Sequence, residues 1–161
     1  MPELRVYRDA SCGCCGAWVK RMEVEGFSAA VITIDDLPRK KVELGLPASL
    51  WSCHSATVGG YVLEGHVPPS SVKRLLSERP NVRGIAVPNM PIGSPGMEMG
   101  GRKETYAVMI FAEGANLSND FRNWTGDDTR NWTLERHSVF SVTAGAGFVL
   151  SRPARRFSRS R

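Results

Sequence analysis

Ser11-Cys12-Gly13-Cys14-Cys15-Gly16 holds three of the chain's four cysteines, and the flanking residues are arranged around it. A run of strand type, Leu4-Arg5-Val6-Tyr7, leads in. A helical pattern leads out, with Ala17, Trp18, Val19, Met22 and Val24 interleaved with Lys20, Arg21, Glu23 and Glu25. The cysteines therefore sit where a strand ends and a helix begins. Free amide N–H groups and the positive end of the helix dipole favour negative charge there. Thiol pKa values at such a corner should fall below the free value of roughly 8.5. A lowered pKa favours nucleophilic attack and soft-metal binding alike, and the spacing leaves both open.

Working outward, residues 4–9 read as a strand and 14–25 as a helix stopped by Gly26. Ala29-Ala30-Val31-Ile32-Thr33-Ile34 is a β-branched run with the look of a buried strand. Asp35 and Asp36 form a turn or cap, and residues 37–45 a short helix ended by Gly45 and Pro47. Ala56-Thr57-Val58 and Tyr61-Val62-Leu63 flank Gly59-Gly60, a hairpin signal. Ser70 or Ser71 can cap a helix through Val72, Leu75 and Leu76, stopping before Pro80. This βαβα, then ββα, order is that of thioredoxins. It predicts an α/β domain with a mixed sheet flanked by helices, over 1–113. Residues 87–101 are rich in proline and glycine yet carry Met90, Met97 and Met99, three of the six methionines. Tyr106 to Phe111 reads as a last strand.

Residues 1–113 carry 13 Lys+Arg and 12 Asp+Glu, a net of +1, whereas 114–161 carry 8 Arg and 4 acids, a net of +4. The basic character thus belongs to the tail, and the front domain has no basic stripe for nucleic acid. No run of 18 or more apolar residues predicts a membrane span. The 114–161 segment reads as an irregular, Arg-rich C-terminal tail, either disordered or the product of a shifted reading frame. Arg-Asn-Trp-Thr occurs in it twice, at 122–125 and 130–133. His137 to Val142 has strand character, and Arg152 to Arg161 reads as a disordered basic end.

Cys12 and Cys15 form a C-x-x-C pair, which suits disulfide exchange or two ligands on one metal. Cys14 between them would compete as a resolving thiol in a redox site, whereas in a soft-metal site it adds a bridging ligand. Cys53-His54 precedes the third strand, where thioredoxins place a cis-proline, and would face the corner. His66 ends the next strand. The loop methionines are either thioether ligands or cover for the core's edge. Thiolates, imidazoles and thioethers together favour copper, as Cu(I). Zinc has no need of methionine, iron–sulfur clusters fit the adjacent Cys14 and Cys15 badly, and calcium and magnesium want oxygen.

Four motifs, Cys12-Gly-Cys-Cys15, Trp51-Ser-Cys-His54, Tyr61-Val-Leu-Glu-Gly-His-Val-Pro68 and Met90-Pro-Ile-Gly-Ser-Pro-Gly-Met-Glu98, occur in that order. They resemble the CopG-type copper-resistance family, thioredoxin-like proteins of the periplasm, over residues 3 to 112. The resemblance implies copper binding through Cys12, Cys14, Cys15 and Cys53, with His54, His66, Met90 and Met97 helping. It also implies copper-efflux or chaperone proteins as partners. The chain as written begins Met1-Pro2-Glu3-Leu4-Arg5, without the apolar core of a signal peptide, which reads as cytoplasmic and departs from the family. The Arg-rich tail departs from it too. Metal binding is the leading expectation. An enzyme, a thiol-disulfide oxidoreductase using Cys12 and Cys15, is the alternative.

Overall fold

The computed structural model describes residues 1–112 and a short strand at Arg122–Trp124. The chain runs β1 (Leu4–Arg8), α1 (Gly13–Val24), β2 (Ala29–Thr33), α2 (Leu37–Glu43) and a single 3-10 turn, Ala48–Leu50. Then follow β3 (His54–Val58), β4 (Tyr61–Glu64), α3 (Pro69–Glu78), β5 (Gly84–Ala86), β6 (Val108–Phe111) and β7 (Arg122–Trp124). One mixed sheet has the order β2-β1-β3-β4-β5-β6-β7. Strand β1 is parallel to β2 and antiparallel to β3, and β4 is antiparallel to β3 and parallel to β5. The α/β mixed sheet flanked by helices is the architecture the sequence predicts.

Pleat alternation divides the side chains between two layers. Leu4, Val6, Ala56, Val58, Leu63 and Ile85 meet Trp18, Val19 and Met22 of α1 and Val72 and Leu75 of α3. The opposite face buries Val62, Ala86 and Phe111 with Leu46 and Leu50. Cys15, Trp18, Val19 and Met22, the buried residues of α1, recur at the spacing of one helical face. Val24, in the same apolar pattern, is instead 79% exposed. The hairpin turn at Gly59-Gly60 has φ of 55° and 92°, which L-residues resist.

Three expectations need correction, and one strand was not foreseen. Strand β2 is not buried: it is the sheet's edge, paired only with β1, and Val31 and Ile32 are exposed. Neither Ser70 nor Ser71 caps α3; Pro68 is the cap residue and Pro69 opens the helix. A proline there lacks only an N–H that would have no helical partner, and its φ is preset. Strand β5 lies unheralded between Pro80 and Pro88, because three residues give no readable alternation. Strand β6 is not the last, since Arg122–Trp124 pairs antiparallel with it. That strand takes in the first Arg-Asn-Trp. The second repeat, His137 to Val142 and Arg152 to Arg161 lie outside the described residues.

Candidate metal centre

Strand β1 delivers the chain to the corner, and Cys12 is the cap residue of α1. No side chain caps that helix. Arg8, at the end of β1, donates from Nη1 to the Cys12 carbonyl oxygen (2.6 Å). Cys12 and Cys15 are joined as a disulfide, their Cα atoms 5.6 Å apart, while Cys14 and Cys53 are free thiols. Cys14 Sγ lies 3.5 Å from Cys12 Sγ, 3.8 Å from Cys53 Sγ and 4.0 Å from Met90 Sδ. Cys15 Sγ approaches the Cys53 carbonyl oxygen (3.7 Å).

Cys53 is the junction. Its Sγ is 3.2 Å from His54 Nδ1 and 3.1 Å from His66 Nε2. His66 Nδ1 is 2.8 Å from the Pro95 carbonyl oxygen. A carbonyl only accepts, so Nδ1 carries the proton and the Nε2 lone pair faces Cys53. Both imidazoles are fully enclosed. His54 lies 4.6 Å from the Trp18 ring and edge-on to His66 at 5.1 Å. His54 Nε2 is buried and has no hydrogen-bond partner. Native interiors rarely leave such a group unmatched. Trp18 itself is core, its Nε1 donating to the Val67 carbonyl oxygen, and Trp51 donates to that of Leu46.

Burial, then the neighbouring Cys14 thiol, pushes the Cys53 pKa up to about 12. The lowering expected at the helix start concerns the corner cysteines; Cys53 comes from the β3 side of the corner, where burial dominates. Burial also holds His54 well below the usual imidazole value, helped by His66 and Lys41. His66 is lowered by burial, against the pull of the Pro95 carbonyl. Uncharged thiol and uncharged imidazoles are therefore the resting state at neutral pH.

The expected ligands fall into two sets. Sulfurs of Cys12, Cys14, Cys15 and Cys53 lie within 4.8 Å of one another, as do the donor atoms of Cys53, His54 and His66. Met90 reaches Cys14 from the rim, 47% exposed. Met97 is half-buried in the loop and meets no cysteine sulfur within bonding reach; its backbone bonds Gly93 and Ser94. Sequence reading missed a polar group beneath Cys53. Glu64, buried in β4, is bound by Lys41, Ser55 and the Ser52 amide. The legible signal was a carboxylate inside Tyr61–Glu64, a strand buried at every position.

A mixed α/β sheet with cysteines on one corner and two enclosed histidines behind them defines a thiol–imidazole protein of metal-binding geometry. The family model "Protein of unknown function, DUF411" matches residues 50–97. A solved structure of copper resistance protein CopG, form 2, is 39% identical, with a TM-score of 0.69 over 76% of this chain and 94% of that one. Form 1 is also 39% identical, with a TM-score of 0.68 over 78% of this chain and 100% of that one. The chain belongs to the CopG family of copper resistance proteins. No curated protein matches it.

Proposed function

We propose that the reduced protein binds Cu(I), more than one ion per chain, as part of copper resistance. The observation that carries this reading is that Cys53 Sγ belongs to both donor sets. A thiolate can bridge two ions, and Cys53 Sγ is placed to serve one ion in each set. All the donors are soft or borderline, which suits Cu(I). The nearby carboxylates are already engaged, Glu64 in a buried ion pair with Lys41 and Glu98 with Arg21. His66 would bind through Nε2, with Nδ1 held by Pro95, the usual way a second hydrogen bond orients a metal-binding imidazole. Met90 stands at the open rim as a thioether on the way in. Met97 would join only after the loop shifts. Copper-efflux or chaperone proteins are the partners this role implies, in a periplasmic, thioredoxin-like setting.

Anaerobic titration of reduced protein against a competing Cu(I) chelator tests the reading. Wild type should bind more than one Cu(I), and Cys53→Ser should bind at least one fewer. Unchanged stoichiometry and affinity in Cys53→Ser would remove the shared-thiolate basis.

A second reading has its own observation, the closed Cys12–Cys15 disulfide at a helix start. A thiol-disulfide oxidoreductase working through that pair would keep its disulfide-reducing activity in Cys53→Ser.

A further inference from the structure

Strand β3 alternates, so His54 faces α1 while Ser55 faces α2 on the other side of the sheet. On that second face lies a closed polar group. Glu64 is fully buried and Lys41 is 3% exposed. Lys41 Nζ donates to Glu64 Oε1 and, at 3.2 Å, to Ser55 Oγ. Ser55 Oγ donates to Glu64 Oε2 (2.5 Å), and the Ser52 amide donates to Glu64 Oε1 (2.5 Å). One carboxylate thus grips the residues on either side of Cys53-His54. It stands two residues before His66, and the intervening Gly65 amide donates to the His54 carbonyl oxygen (2.9 Å). Ser52 Oγ in turn donates to the Asn89 carbonyl oxygen, next to Met90.

We propose that Glu64 and Lys41 are positioning residues for the metal centre, acting through the Ser52 amide and the Ser55 hydroxyl to fix Cys53 and His54 against His66. This deepens the copper reading above and rests on it for the identity of the metal. Helix α2 places Lys41 under the sheet, which keeps the carboxylate compensated where no water reaches it. A buried ion pair is seldom retained for stability, because apolar residues of like volume serve as well or better. Its value here is directional. Glu64 supplies two oxygens at fixed angles, and only an oxygen can hold the Ser52 N–H. Groups behind metal ligands typically alter metal affinity by about 10–100-fold when removed.

Two variants without the ion pair isolate the oxygen. Lys41→Met with Glu64→Gln keeps an acceptor for the Ser52 amide, and Lys41→Met with Glu64→Leu does not. Cu(I) affinity of the reduced protein is measured by chelator competition. In the metal-free protein, Ser52 amide exchange is read by NMR and the Cys53 alkylation rate by peptide mass. The Leu pair should bind Cu(I) about 10–100-fold more weakly, with faster exchange and faster alkylation, and the Gln pair should restore all three to within about threefold of wild type. If the Leu pair does not fold, Ser55→Ala cuts one arm alone and should weaken Cu(I) at least about threefold. Wild-type affinity, Ser52 protection and Cys53 reactivity in the Leu pair, or equal losses in both pairs, would overturn the proposal. Failure of the copper reading shows separately, as copper binding indifferent to Cys53→Ser. The metal-free readouts still decide whether the clamp holds Cys53.

Discussion

Replacing Gly96 by alanine probes the loop that packs on α1 and holds His66 of the candidate metal centre. Gly96 has φ of +84°, and a Cβ there would stand 2.6 Å from the Trp18 amide nitrogen, 2.9 Å from Trp18 Cα and 3.1 Å from the Ala17 carbonyl carbon. All three are helix backbone of α1 and cannot rotate away, so the loop must lift. The left-handed conformation costs an L-residue about 1–2 kcal/mol. Overpacking against fixed atoms adds about 1–3 kcal/mol. The bond from His66 Nδ1 to the adjacent Pro95 carbonyl is then stretched or lost, at about 1 kcal/mol. The total, about 3–6 kcal/mol, is a large share of a typical domain stability of about 5–15 kcal/mol. Gly100 is the internal control: it lies in the same loop at φ +55° with nothing within 4 Å of its Cβ position. Gly100→Ala should cost only the conformational part. Urea unfolding of reduced, metal-free protein gives both values, and the His66 ring resonances report the lost carbonyl bond. Equal costs for the two substitutions, or an undisturbed His66 in Gly96→Ala, would refute the packing argument.

Two predictions concern protons. Burial lowers the His54 and His66 pKa values in the folded protein, whereas the unfolded rings take up protons near pH 6.5. The stability this gives is present above about pH 6.5 and is lost as pH falls, by up to about 1.4 kcal/mol per pH unit for each ring. Glu64, raised by burial, contributes the opposite slope at lower pH, so the imidazole share is read as the difference between wild type and His54→Gln. Urea unfolding at several pH values between about 7 and 5 should show a steeper acid loss in wild type; parallel profiles would contradict it. Because the Cys53 pKa is pushed up to about 12, metal binding must displace its proton. Cu(I) affinity should therefore rise by about tenfold or more per pH unit between about pH 6 and 8, and a flat profile in the competition titration would exclude Cys53 as a ligand.

The cysteine corner and the element order were legible because both are local signals. Cys12, Cys14 and Cys15 are written side by side, and the periods of α1 and the Gly59-Gly60 hairpin need only short windows. The joining of Cys53 to the corner followed from strand order alone. What stayed hidden depends on tertiary placement. The β-branched composition of β2 is the same at an edge as in a sheet centre, so only the pairing exposes Val31 and Ile32. Lys41 reads as one of three consecutive basic residues, Arg39-Lys40-Lys41, and nothing local distinguishes it from its solvated neighbours. It is buried because Glu64, 23 residues on, is folded beneath it. Met90 and Met97 are equivalent in the sequence, and only the path of the loop brings the first to Cys14.

The copper and disulfide readings compete for two sulfurs, not for the whole site. Closing Cys12 to Cys15 withdraws two thiols, and reopening the pair takes two electrons and two protons. The donors that remain free, Cys14, Cys53, His54 and His66, still include one complete set, Cys53 with its two imidazoles. That set is held by different parts of the fold: β3 and β4 with the Glu64 clamp, and the Pro95 carbonyl on His66. Neither support passes through the Cys12–Cys15 loop. The candidate donors thus form two sets with one shared atom, Cys53 Sγ. On this arrangement, opening the Cys12–Cys15 disulfide would raise the number of thiols offered without breaking any of these contacts of the histidine half.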